Sequence, residues 1–94
     1  MPHSFNYRVI GHVQGVFFRA FTQKTAQELG VKGFVKNDPN GDVSGVAQGD
    51  AAALEKFKDA ISKGPRHAKV SEVNLNEEME MDHYDYVGFD ILRH

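Results

Sequence analysis

Two stretches of helical spacing lie among segments of alternating spacing, and their order along the chain limits the fold more than any other feature. Phe5, Tyr7 and Val9 alternate with Asn6 and Arg8, the pattern of a half-buried strand. A glycine-containing stretch, GHVQGV, follows without clear periodicity and reads as a loop. From about Arg19 to Leu29 the residues favour helix, with Phe18, Thr22, Ala26 and Leu29 able to share one face and Gly30 placed to end it. Val31 to Asn37 reads as a second strand. Asp38-Pro39-Asn40-Gly41 is a turn, in which proline presets φ and glycine accepts left-handed geometry. Val43 to Gln48 returns as a third strand. Asp50 is a suitable N-cap for a second helix that carries Leu54, Phe57 and Ile61 at helical spacing and closes at Gly64-Pro65. Val70, Val73 and Leu75 belong to a fourth strand, the acidic stretch after them reads as a polar connection, and Val87, Phe89 and Ile91 alternate in a fifth strand.

The order is β-α-β-β-α-β with one strand added, an α+β chain of the ferredoxin-like, split βαβ type. Two amphipathic helices should cover one face of the sheet. The expected strand order is 4-1-3-2, with the additional C-terminal strand joining an edge. In such a sheet the first and second strands run parallel with the third between them, so both finish at the same end. Two strand spacings of roughly 4.8 Å separate their ends. Arg19 and Asn37, eighteen positions apart, therefore become neighbours across a gap that a phosphate can fill.

The loop suits an oxyanion. Gly15 allows close backbone approach or unusual φ. The loop runs into a helix whose first N–H groups lack intrahelical partners and carry partial positive charge. A concave run of amides binds phosphate oxygens, and the Arg19 guanidinium can pair with two of them. On the residues alone this marks an anion site rather than a hydrolase.

Composition narrows the partners. The 94 residues are expected to form one domain spanning 1–94. There is no cysteine, so disulfides, thiol catalysis and cysteine-based metal carriage are excluded. The net charge is −2, but five of the 13 acids (Glu77, Glu78, Glu80, Asp82 and Asp85) share one short stretch; without them eight acids face eleven Lys and Arg, a balance of +3 that does not repel an anion. Extended nucleic acid usually demands a stronger basic patch, and Lys32-Gly33-Phe34-Val35, a faint RNP1 echo, sits on strand two rather than three; no nucleic-acid partner is expected. The five histidines, His3, His12, His67, His83 and His94, fit no zinc spacing, and the acidic stretch lacks an EF-hand pattern. No apolar run reaches membrane-span length and the first ten residues hold no signal-peptide core, so a cytoplasmic monomer without membrane contact is expected.

Gly11-His12-Val13-Gln14-Gly15-Val16-Phe17-Phe18-Arg19 resembles the acylphosphatase signature G-x-V-Q-G-V-x-F-R, and Gly33-Phe34-Val35-Lys36-Asn37 resembles the second signature of that family. The likeness covers nearly the whole chain. Three positions differ: Asp38 stands where many members have threonine or a small residue, Phe34 replaces the commoner tryptophan, and Arg93-His94 differs from endings such as Arg-Tyr. The resemblance implies that the amides of Gln14, Gly15, Val16, Phe17, Phe18 and Arg19, with the Arg19 side chain, bind a phosphoryl group. It also implies that Asn37 positions the attacking water, that the substrate is a small acyl phosphate, and that no metal or cofactor takes part. Phe17, Phe18 and Phe21 read as core or pocket wall rather than substrate selectors, and the Gln14 side chain as a holder of loop shape. A non-catalytic, anion-binding regulatory module on the same fold is the alternative.

Overall fold

The computed structural model describes residues 2–15 and 17–92. Its elements are β1 (His3–His12), α1 (Phe18–Leu29), β2 (Lys32–Asn37), β3 (Val43–Gly49), α2 (Ala51–Lys63), β4 (Lys69–Glu80) and β5 (Phe89–Leu92). The strands form one sheet in the order β4-β1-β3-β2-β5. The expected 4-1-3-2 order holds, and the additional strand takes the β2 edge. There it runs parallel to β2, with Gly33 opposite Phe89 and Lys36 opposite Leu92. Because β1 and β2 each pair antiparallel with β3, they run the same way and finish at one end of the sheet, at His12 and Asn37.

Alternation along β1 sends Phe5, Tyr7 and Val9 into the core. Phe5 and Tyr7 meet helix α2 there. Phe57 of α2 packs its ring 5.4 Å from Tyr7 and 5.8 Å from Phe89. Phe18, Thr22 and Ala26 are the buried stripe of α1, and Leu54, Phe57 and Ile61 that of α2. Leu29 is only partly buried, at the margin of the core. Truncating a ring as enclosed as Phe57 to alanine costs about 3–5 kcal/mol.

Gly30 ends α1 with φ 74°. The bonds from Gly30 N–H to the Gln27 carbonyl and from Val31 N–H to the Ala26 carbonyl make this a Schellman stop. At the tip of the β2–β3 hairpin, Gly41 N–H donates to the Asp38 carbonyl at 3.1 Å, closing the turn around Pro39 and Asn40.

Two expectations need correction. Glu77, Glu78 and Glu80 lie inside β4, not in a connection; only Asp82 and Asp85 of the acidic group fall beyond it. An irregularity between Ser4 and Asn6 of β1 puts the β4 residues next to Glu77 out of step, and Glu77 takes φ 53°. β4 is an edge strand, and charge along an edge discourages pairing with another chain. Val87, expected in the fifth strand, precedes β5 and is 97% exposed. The connection 81–88 is fastened by polar groups instead. The Gln48 carboxamide donates to Asp85 Oδ2 at 3.0 Å and accepts from the Asp85 N–H at 2.9 Å. Gly33 N–H donates to the Gly88 carbonyl at 2.9 Å.

One hydrogen bond ties the two strands that lead to the shared end. The Tyr7 hydroxyl of β1 donates to the Phe34 carbonyl of β2 at 2.8 Å, although β3 lies between them. It passes at Gly45, where a Cβ would overlap the Phe34 carbonyl oxygen and stand 2.6 Å from the Tyr7 hydroxyl.

Candidate active site

The loop that leaves β1 is anchored at both ends. Val13 is fully enclosed in the core, and so is Phe18. Phe18 presses so closely on the end of α2 that a Cβ on Gly64 would come 2.9 Å from its Cε2. Between these anchors the backbone turns left-handed at Gly15, φ 75°, and again at Phe17, φ 62°. The first costs glycine nothing. The second is an uncommon state for a bulky residue and costs on the order of 1–3 kcal/mol. A left-handed residue followed by a right-handed helical one turns successive N–H groups to one side, the arrangement that makes an anion-binding nest. Phe17 is the N-cap of α1 and offers no side-chain hydrogen bond to the helix start.

Electrostatics at this helix start are one-sided. No acidic residue occupies the first turn of α1, where carboxylates are otherwise favoured. Arg19 is half-buried there, and among the described residues no carboxylate lies within ion-pair distance of it. The positive potential of helix start and guanidinium is thus left unneutralised.

Across from the loop, Asn37 closes β2. It is half-buried, and among the described residues its Oδ1 is shielded and has no hydrogen-bond partner. A buried acceptor left unpaired costs about 1–3 kcal/mol, and such atoms are few in native folds; Asp38 Oδ2, on the next residue, is the other one among the described residues. Gly15, Phe17, Phe18, Arg19 and Asn37 line one cleft of about 410 Å³, a size suited to a small molecule. Val13, Ala20 and Ile91 complete its walls. The sequence places Arg19 and Asn37 together through strand order, and the structure does the same.

Gln14 faces elsewhere. Its Nε2 donates to the carbonyls of Asp38 and Asp42, both at 2.9 Å, and so holds the loop against the β2–β3 turn. Its side chain keeps the loop in shape, and only its backbone is left for an anion. Val16, named with the phosphate-binding residues, lies outside the described residues, as do Arg93 and His94. Phe18 is core, as expected of a wall residue, but Phe17 is 84% exposed and belongs to the rim.

Two features escape sequence reading. Ile91 reaches the cleft because β5 runs parallel to β2 at its edge, and only the placement of that strand reveals it. Asp38 is an organiser of the turn beside Asn37. Its N–H donates to the Asp42 carbonyl at 2.8 Å, its Oδ1 accepts from Ser44 Oγ at 2.9 Å, and Arg8 Nε stands 3.8 Å from its Oδ2. The sequence signal was the hairpin register, which sets Lys36 opposite Ser44 and so brings Ser44 beside Asp38.

A family model described as Acylphosphatase matches residues 5–91 of the chain. The chain belongs to the acylphosphatase family. It is 46% identical over 77 residues to the acylphosphatase of Archaeoglobus fulgidus, covering 82% of this chain and 85% of that protein. With acylphosphatase-1 of Gallus gallus it shares 38% over 89 residues, covering 94% and 90%. The crystal structure of the acylphosphatase from Bacillus subtilis superposes with a TM-score of 0.90 at 32% identity, over 97% of this chain and 99% of that one. Such relatives, alike over most of their length, make this member of the acylphosphatase family a hydrolase of that kind. None of its described helices is long and apolar enough to cross a membrane.

Proposed function

We propose that the cleft hydrolyses the carboxyl–phosphate bond of small acyl phosphates, with the phosphoryl group held by Arg19 and the amides of Gln14–Arg19 and the water oriented by Asn37. The observation that carries this reading is the Asn37 carboxamide, which lines the same cleft as Arg19 and has an oxygen without a partner among the described residues. Among the described residues no hydrogen bond pins that oxygen where it stands. The terminal torsion of asparagine is broad and two-fold, so a half-turn presents the acceptor to the cleft and forfeits no bond. Asparagine is no base at neutral pH, but it can accept one hydrogen bond from water and aim the oxygen lone pair.

The chemistry asks little more. The water oxygen bonds to phosphorus while the bond from phosphorus to the acyl oxygen breaks, and that electron pair leaves on a carboxylate. One water proton passes to a phosphoryl oxygen, so the products are carboxylate and inorganic phosphate. A carboxylate is a good leaving group and needs no acid. Phosphoryl transfer depends on positioning and on stabilising the equatorial oxygens, which the guanidinium and the nest amides supply. His12, adjoining the loop, is exposed and has no part in this scheme.

The test is hydrolysis of benzoyl phosphate by purified protein beside an Arg19→Ala control. Turnover by the parent protein, lost in the control and insensitive to EDTA, supports the reading. A parent protein that binds inorganic phosphate yet leaves benzoyl phosphate intact sinks it in favour of a binding module.

A further inference from the structure

We propose that Phe17 selects the acyl half of the substrate, favouring acyl phosphates whose acyl group is flat and apolar, such as aromatic carboxylic acids. The inference rests on the hydrolytic reading above. Phe17 is 84% exposed, in contrast to Phe18 beside it, which is core. A single exposed aromatic is ordinary on a protein surface. This one sits in a left-handed conformation that a glycine would adopt without strain, directly on the rim of the cleft. The fold gains no packing from the ring and pays for its backbone.

The cleft walls divide by chemistry. Among the described residues, Arg19 and Asn37 are the only side chains lining it that carry charge or an amide, and both are taken by the phosphoryl group and the water. Everything left for the acyl group is carbon: Val13, Phe17, Phe18 and Ala20 on the loop and α1 side, Ile91 on the β5 side. In-line displacement sends the leaving group away from the water. The loop amides hold the equatorial oxygens, so the acyl group departs past them to the rim of the cleft, where the exposed Phe17 ring is free to lie against it. A methyl group offers that ring almost no contact, whereas a phenyl group offers a face.

The experiment compares kcat/KM for benzoyl and acetyl phosphate in the parent protein, Phe17→Gly and Phe17→Tyr. Glycine removes the ring and relaxes the backbone, so the fold is not at risk, and thermal unfolding verifies this. The expected result is a benzoyl-to-acetyl ratio that falls about three- to tenfold in Phe17→Gly, the scale of one aromatic contact, and is restored in Phe17→Tyr. The loss should appear in KM rather than kcat, because the ring contact is equal in ground and transition states. A ratio unchanged in Phe17→Gly, with both substrates still turned over, overturns the selectivity and leaves the hydrolytic reading standing. A parent protein inert to both substrates overturns the two together.

Discussion

The two helices of this chain begin in opposite ways. Helix α2 starts conventionally: Asp50 sits at the N-cap in extended conformation, φ −65° and ψ 150°, with its negative charge against the positive end of the helix. Helix α1 starts on a phenylalanine forced left-handed, with no acid in its first turn and an arginine beside it that has no carboxylate partner among the described residues. Neither cap side chain bonds the helix. The difference lies in what is done with the exposed amides. At α2 a resident carboxylate answers their charge. At α1 every local choice leaves that charge uncompensated, which is unfavourable for an isolated helix and suited to one that receives an anion.

Breaking the contrast from the α1 side should have the largest effect. Arg19→Ala should lower kcat/KM for benzoyl phosphate by about 10³-fold or more, since binding and transition-state stabilisation are lost together. Asn37→Ala should lower kcat by on the order of 10²–10³-fold while the inhibition constant of inorganic phosphate stays near that of the parent. A turnover close to the parent's would remove the water-orienting role. Phe17→Asp gives α1 the cap residue that α2 uses. Phosphate inhibition should weaken roughly two- to thirtyfold at low ionic strength, the scale of a charge at a helix end, and the effect should shrink as salt is added.

Changes elsewhere should spare the difference. Tyr7→Phe removes the bond to Phe34 in the sheet beneath both helices and should cost about 0.5–1.5 kcal/mol at neutral pH. Burial holds the Tyr7 hydroxyl well above the ordinary tyrosine value of 10.0. Above pH 10 the unfolded chain releases this proton while the folded chain keeps it, so stability present below pH 10 declines as pH rises towards the folded value. Denaturant midpoints on either side of pH 10 should show that decline in the parent and less of it in Tyr7→Phe. The smallest effect is expected of Asp50→Ala, about 0.3–1 kcal/mol of stability by thermal unfolding, with kcat/KM unaltered.

The sheet was legible because its inner strands keep period and sign: Phe5, Tyr7 and Val9 alternate, and so do the buried positions Val43, Gly45 and Ala47. What alternation does not encode was lost. Glu77 to Glu80 are solvent-exposed residues of an edge strand, an irregularity interrupts their period, and the one apolar residue among them, Met79, sets up no alternation to mark them as strand. Val87 carries the right residue type but lies outside the ladder. At the site, Arg19 and Asn37 follow from topology and from the two signatures. The strain at Phe17, the unpartnered oxygen of Asn37 and the turn built by Asp38 depend on backbone angles and distances that residue types do not specify.

The Gln14 latch has a consequence for variation. It grips the turn through two main-chain carbonyls, of Asp38 and Asp42, and through no side chain. Every amino acid presents the same carbonyl. The latch's own two bonds therefore do not depend on which side chains stand at 38 and 42, whereas the shape of the turn still rests on Gly41, at φ 100°, and on the contacts of Asp38 with Ser44 and Arg8. Substitutions that keep the turn's shape leave the latch intact, so a lineage or an engineer can alter the surroundings of the chemistry at this hairpin tip only by exchanges that respect that shape.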